Sequence, residues 1–199
     1  MNRFHRWYCR TGHWRHSIQR QILPWVLCDV DLGDRVLEVG PGPGLTTDVL
    51  ARRTADLTAV EIDAELAARL RDRFAGTNVT VREGDATAMP FAGETFTGAV
   101  SFTMLHHIPS PQLQDRLLSE VRRVLRPGAT FAGSDSRSSH VFRLAHLADT
   151  MVVVDPDTFA GRLEAAGFIN VEVEARKSAF RFRSTVPATV NIPERLRQS

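Results

Sequence analysis

The stretch Val-Leu-Glu-Val-Gly-Pro-Gly-Pro-Gly, residues 36 to 44, constrains the fold of this chain more than any other. An apolar strand runs straight into three glycines at strict alternation, and a helical pattern follows from Thr46 to Arg53. A strand that enters such a loop and leaves it as a helix brings bare backbone to the carboxyl edge of a parallel sheet, where folds of this kind bind ligands. Side chains there would block that approach. A tight strand-to-helix turn that holds no ligand is the other reading of the same residues.

The rest of the chain continues the alternation. Arg35 to Val39, Leu57 to Ile62, Val79 to Arg82, Gly98 to Phe102 and Thr130 to Gly133 read as strands. Between them, Asp63 caps a helix with Leu66, Leu70 and Phe74 on one stripe. Ser110-Pro111 opens another, whose Leu113, Leu117, Leu118, Val121 and Leu125 recur at helical spacing until Pro127-Gly128. Asp155-Pro156 starts a last helix that stops at Gly167. Asn170 to Ala175 and Ala179 to Val186 then lie close enough in sequence to pair antiparallel. Repeated βα units of this kind predict an α/β fold with helices on both faces of a mostly parallel sheet and an antiparallel C-terminal strand pair.

With 199 residues, 43% of them hydrophobic, the chain has the size of one domain with a substantial core. No run approaches the roughly 18 apolar residues of a membrane helix, and the arginine-rich start lacks the apolar centre of a secretory signal. A soluble, cytoplasmic protein with no membrane span is expected. Cys9 and Cys28 allow at most one bridge. Together with His13 and His16 they have the wrong spacing for a compact zinc site, so no metal is expected.

The glycine spacing narrows the ligand. A dinucleotide site uses Gly-x-Gly-x-x-Gly, but the third position falls on Leu45 here. Glu38, two residues before the loop, would repel a pyrophosphate and suits a ligand that carries an ammonium or a sulfonium. At these residues the chain resembles the class I S-adenosylmethionine-dependent methyltransferases, those with a seven-stranded, three-layer Rossmann-like core, and their small-molecule branch in particular. The resemblance covers Asp34 to Gly133 most closely and runs more loosely to Val186.

It implies S-adenosyl-L-methionine as cofactor and assigns residues to it. Gly40, Pro41, Gly42 and Gly44, with Glu38 behind them, match the loop under the methionine part. Glu61, in Val-Glu-Ile-Asp, matches the acid that accepts from both ribose hydroxyls, with Ile62 beside it. Gly84-Asp85-Ala86 looks like the element that reads the adenine. Ser101 and Phe102 begin the motif whose backbone carbonyls hold the ammonium. One departure stands at the entry to that strand, where many relatives carry Phe-Asp and this chain has Phe96-Thr97.

Methyl transfer from a sulfonium is a direct displacement, so holding the acceptor in line matters most and a general base is optional. His106 and His107 are the candidates for that base; packing residues at a strand-to-helix turn is the competing reading. Residues 1 to 28 differ in kind from the rest: they hold all three tryptophans and five arginines, and no acid. We expect them to form a helical lid which, with Ser134 to Val154, caps the cleft over a largely apolar or aromatic acceptor. The core then spans 34–186, and 187–199 forms a tail. A small-molecule methyltransferase is therefore expected, with no nucleic-acid partner. The alternatives are an RNA or nucleobase methyltransferase that uses the basic, aromatic N-terminal arm, and a cofactor-binding protein with no acceptor of its own.

Overall fold

Strand β1 (Arg35–Val39) has a parallel neighbour on each edge, and its Val36, Leu37 and Val39 are buried because helices cover both faces of the sheet. In the computed structural model, which describes residues 12–137 and 151–189, it is the third strand of a sheet of seven in the order β3-β2-β1-β4-β5-β7-β6. The others are β2 (Asp56–Glu61), β3 (Val79–Glu83), β4 (Phe96–Phe102), β5 (Leu125–Ser136), β6 (Ile169–Ala175) and β7 (Ala179–Thr185). Strands β1 to β5 are parallel, and β7 runs antiparallel to both β5 and β6. The reversal of strand order beside β1 puts a crevice at its carboxyl end.

Helices cover both faces. One face carries α1 (Gly12–Ser17) and α2 (Leu23–Val26), joined through a π-helical turn at Ile18–Ile22, together with α3 (Thr47–Leu50) and α4 (Ala64–Arg73). Ile18, Leu23 and Val26 pack there with Val36, Leu50, Val100 and Ala132. The other face carries α5 (Pro111–Val124) and α6 (Pro156–Ala165), whose Leu117, Leu118, Val121, Phe159 and Leu163 meet Leu37, Val39, Phe131, Phe180 and Phe182. Ser110 caps α5, and Asp63 and Asp155 cap α4 and α6 through backbone N–H groups of their first turns, as the sequence leads one to expect. No helix among the described residues is long and apolar enough to cross a membrane.

Several boundaries differ from expectation. Helix α3 is a single turn, Thr47–Leu50, where the pattern ran to Arg53. Helix α5 ends at Val124, before Pro127-Gly128, because Leu125 leaves the helix to pair with Phe96 of β4; a register shift between Phe96 and Gly98 then absorbs the turn around Gly128. Strand β5 continues beyond Gly133 to Ser136, since β7 pairs with it as far as Ala179.

The described part of the expected lid, from Gly12 onward, is a core element: Ile18 is 2% and Leu23 1% exposed. Residues 1–11, with Cys9, and residues 190–199 of the tail lie outside the described residues. So do residues 138–150 of the segment expected to cap the cleft with the lid. On either side of that gap, Ser134 to Ser136 belong to β5, and the Val152 N–H donates to the carbonyl of His106 at 2.9 Å.

Candidate functional site

The glycine loop hangs from the ends of β1 and β2. The Gly40 N–H donates to the carbonyl of Val60 at 2.9 Å, and the Gly44 N–H to that of Pro41 at 2.9 Å, which turns the chain sharply toward α3. All three glycines have left-handed backbone, with φ of 66°, 54° and 79°. What surrounds each of them differs. A Cβ on Gly40 would lie 2.3 Å from Cγ of Met104, and one on Gly44 would lie 2.6 Å from Cδ2 of Leu70. A Cβ on Gly42 would meet nothing within 4 Å. Two glycines therefore serve close packing inside the protein, and Gly42 alone turns its bare face to open space.

Glu61 closes the loop from β2. Its Oε2 accepts from the Gly42 N–H at 3.0 Å and its Oε1 from the Asp63 N–H at 3.0 Å, so one carboxylate ties the loop to the start of α4. Burial pushes this carboxyl above the usual range, against the pull of the two backbone donors. A carboxylate oxygen can accept more than one hydrogen bond. Beside Glu61, Ile62 is 71% exposed, the more exposed of two exposed large hydrophobic side chains among the described residues.

Glu38 sits beneath the loop, 1% exposed. It accepts a hydrogen bond from the Thr46 hydroxyl and another, of 2.7 Å, from the Thr47 hydroxyl, so that the loop's exit is bonded to its entry strand. Burial pushes its carboxyl up to about 7. Gly84 and Asp85 follow β3, with the Gly84 N–H donating to the Glu61 carbonyl at 3.0 Å. Asp85 is exposed and accepts from the Thr87 N–H at 2.8 Å, whereas Ala86 is buried. Arg116 donates to the Thr87 carbonyl at 3.0 Å and Arg123 to that of Phe91 at 2.8 Å, which fastens this loop to α5. Glu120 accepts from the Met89 N–H at 2.8 Å, and Arg123 beside it holds its carboxyl below the ordinary value.

At the end of β4, Ser101 and Phe102 are buried, and the Ser101 hydroxyl has no hydrogen-bond partner among the described residues. The turn at Leu105–His107 follows. His106 is 2% exposed, and its Nδ1 lies 2.5 Å from Oδ1 of Asp135, itself fully buried at the end of β5. His107 is half-buried, its ring centroid 4.1 Å from that of His106. Two residues of this region escaped the sequence reading. Asp135 lay in a stretch without clear periodicity. Gln114, buried on α5, donates to the carbonyls of Leu105 at 3.1 Å and Val152 at 2.8 Å.

The structure thus gathers Glu38, Gly40, Pro41, Gly42, Gly44, Glu61, Ile62, Gly84 and Asp85 around the carboxyl ends of β1 to β3, with Ser101, Phe102 and the histidine turn one strand further along. An open glycine face, a buried acid with spare acceptor capacity and an exposed apolar side chain next to it suit a ligand with a hydroxyl-bearing ring and a flat apolar ring.

Residues 36–128 match the family model described as "Methyltransferase domain". The chain is 38% identical over 122 residues to a "Ribosomal RNA small subunit methyltransferase A" of Synechococcus sp. (strain WH7803), 58% of this chain and 42% of that protein. It is 35% identical over 125 residues to a "Fatty-acid O-methyltransferase" of Mycolicibacterium smegmatis, 62% of this chain and 44% of that protein. The chain thus spans less than half the length of each. Among solved structures, the PH0226 protein from Pyrococcus horikoshii OT3 superposes with a TM-score of 0.76 at 16% identity, over 90% of this chain and 94% of that one, a likeness of fold. With the strand order and the loop, these matches make residues 36–128 similar to a methyltransferase domain, on a Rossmann-like α/β fold.

Proposed function

We propose that this chain transfers a methyl group from S-adenosylmethionine to a small, largely apolar or aromatic molecule. The observation that carries the proposal is the meeting of the open side of Gly42, the Glu61 carboxylate and the exposed Ile62 at the carboxyl edge of β1 and β2. Glu61 would accept from the ribose hydroxyls. Ile62, Asp85 and the Ala86 amide would hold the adenine, and the backbone at Gly40 and at Ser101-Phe102 the methionine end. Glu38 supports the loop from below. Bound there, the cofactor supplies an electrophilic methyl group on a sulfonium.

The protein's own contribution is orientation and exclusion of water, because an in-line displacement gains most from fixed geometry. His107, at the partly open side of the turn, is the better placed of the two histidines to take a proton from an acceptor hydroxyl. His106 fixes the turn through Asp135. Residues 1–28 and the segment around Ser134 to Val154 would close over the acceptor. The described helix already reaches the loop, where the Gln19 side chain donates to the Leu45 carbonyl at 3.4 Å. Similarity to a fatty-acid O-methyltransferase over 62% of the chain supports an apolar acceptor.

Calorimetric titration with S-adenosylhomocysteine tests the cofactor site. Hydrogen bonds to a charged group are worth about 1.5–3 kcal/mol each, so Glu61→Ala is expected to weaken binding at least about tenfold. An unchanged dissociation constant would refute the placement of Glu61. A panel of fatty acids and phenols, read by mass gain of one methyl group, tests the acceptor class.

An RNA acceptor is the second reading, favoured by a specific surface. Arg15, Arg20, Arg52 and Arg53 are exposed on one face of the sheet, and residues 12–28 and 49–55 contain no carboxylate. The similarity to ribosomal RNA methyltransferases points the same way. If this reading holds, RNA affinity falls steeply with salt, with a slope of log K against log salt near −3 for about four phosphate contacts on a single strand. A flat salt dependence excludes it.

A further inference from the structure

We propose that Arg73, at the far end of α4, is a positioning residue for the cofactor loop: it fixes the outer side of the Gly42–Gly44 turn and so sets the affinity for the cofactor without touching it. The inference rests on the reading of that loop as the cofactor site. The Arg73 guanidinium donates from Nη1 to the carbonyl of Pro43 at 2.9 Å and from Nη2 to the carbonyl of Gly44 at 2.8 Å. Nη2 also pairs with the Asp48 carboxylate at 2.5 Å, which draws in the first turn of α3. The guanidinium lies 4.6 Å from the centroid of the Phe74 ring, which limits where it can swing.

The position of Arg73 in the fold gives these bonds their consequence. Helix α4 is bonded at both ends to the same site. Its N-cap, Asp63, donates its own N–H to Glu61 while its side chain accepts from Glu65 and Leu66. At the other end of the helix, Leu70 packs where a Gly44 side chain would stand, and Arg73 holds the two loop carbonyls. The helix is therefore a strut between the acid from β2 and the outer edge of the loop from β1. Glu61 bonds the inner edge of that loop through Gly42. Between these two anchors the Gly42 peptide is held in left-handed backbone with its open face outward. Without the outer anchor, Pro43, Gly44 and Asp48 each lose one donated bond, and the loop gains conformations that a ligand must pay to remove.

Arginine is required in this role because only its planar fork offers several donors in fixed directions; a lysine ammonium can satisfy the carboxylate or one carbonyl at a time. A clasp of the same kind elsewhere in the molecule serves as control. Arg162 of α6 bonds Asp115 at 2.6 Å, the Gln114 side chain at 3.0 Å and the Pro111 carbonyl at 3.1 Å, on the opposite face of the sheet. Its loss costs comparable bonds but should not reach the loop.

The experiment compares Arg73→Gln, Arg73→Lys, Asp48→Asn and Arg162→Gln in the full chain, with S-adenosylhomocysteine titrated calorimetrically and thermal unfolding recorded for each. The expected result is a dissociation constant raised about tenfold for Arg73→Gln, as for loss of a charge-assisted bond, less for Arg73→Lys and Asp48→Asn, and unchanged for Arg162→Gln despite a similar fall in Tm. Equal affinity in Arg73→Gln and Arg162→Gln would overturn the proposal, as would complete rescue by lysine. Should Arg73→Gln not fold, Arg73→Lys and Asp48→Asn carry the comparison, and normal affinity in both overturns it. If the wild-type chain binds no S-adenosylhomocysteine, the cofactor reading fails, an outcome visible before any variant is compared.

Discussion

His106 and Asp135 are joined twice: the His106 backbone N–H donates to Oδ2 at 3.0 Å, and the ring Nδ1 lies 2.5 Å from Oδ1, with both side chains almost wholly excluded from solvent. One carboxylate thus fixes both the backbone and the imidazole of the turn after β4. It also accepts from the Ser136 N–H at 2.6 Å, which locks the end of β5 to the same point. Because the His106 carbonyl in turn accepts from Val152, the pair fixes the side of the cleft next to the proposed acceptor. Removing one member of a buried, doubly bonded pair leaves the other without compensation. Asp135→Ala is therefore expected to lower unfolding stability by about 3 kcal/mol or more, measured in denaturant, while Asp135→Asn retains an acceptor and loses less. Equal stability of Asp135→Ala and wild type would mean that the pair does not hold the turn.

Glu38 makes stability depend on pH in an unusual direction. The folded protein keeps the Glu38 proton up to about pH 7, while the unfolded chain releases it near 4.5. The stability of the buried neutral form is therefore fully present below pH 4.5 and is lost as pH rises through about 7. A shift of that size corresponds to about 3 kcal/mol at most. Glu61, also raised, adds to the same trend. Glu38→Gln should remove most of the decline between pH 5 and pH 8, so that its margin over wild type grows as pH rises. Parallel stability curves for the two proteins would show that Glu38 ionises normally in the fold.

The glycine loop, the acid after β2 and the alternation of elements were legible because each is encoded locally, within a few residues of chain. Asp135 and Arg73 were not, since their roles arise only when the fold brings together residues 29 and about thirty positions apart. The end of α5 was misread for a related reason. Leu125 continues the helical spacing of Leu117 and Val121, and only pairing with Phe96 across the sheet decides that it begins a strand. The tryptophans suggested a lid, yet Trp14 and Trp25 pack against the same apolar cluster as Ile18 and Leu23, so an aromatic-rich segment was partly a core segment. Hydrophobic content marks burial without saying against what.

Thr97, where many relatives of the resembled family carry aspartate, supports the entry of β1. Its hydroxyl oxygen accepts from the Arg35 N–H at 2.9 Å and lies 3.0 Å from the Leu32 carbonyl, to which it can donate. Neither residue belongs to the cofactor site. Thr97→Val should cost about 1 kcal/mol of stability, the net value of an ordinary hydrogen bond, and leave cofactor affinity unchanged. A weakened affinity would show that the start of β1 is coupled to its glycine end.

Gly42 and Gly76 form a matched pair for testing what the loop is for. Both have left-handed backbone, with φ of 54° and 74°, and at both an added Cβ would meet nothing within 4 Å. An alanine at either place incurs the same kind of backbone strain, about 1–2 kcal/mol, and no clash within the protein. The two substitutions should lower Tm by similar amounts. They differ in where the new methyl group stands: Gly76 lies in the connection from α4 to β3, whereas Gly42 faces the space beside Glu61 where the cofactor is proposed to lie. Gly42→Ala should weaken S-adenosylhomocysteine binding well beyond Gly76→Ala, and Gly42→Val should abolish it. Equal affinities for the two alanine variants would make the loop a turn of the fold and nothing more, and would move the search for the cofactor away from β1.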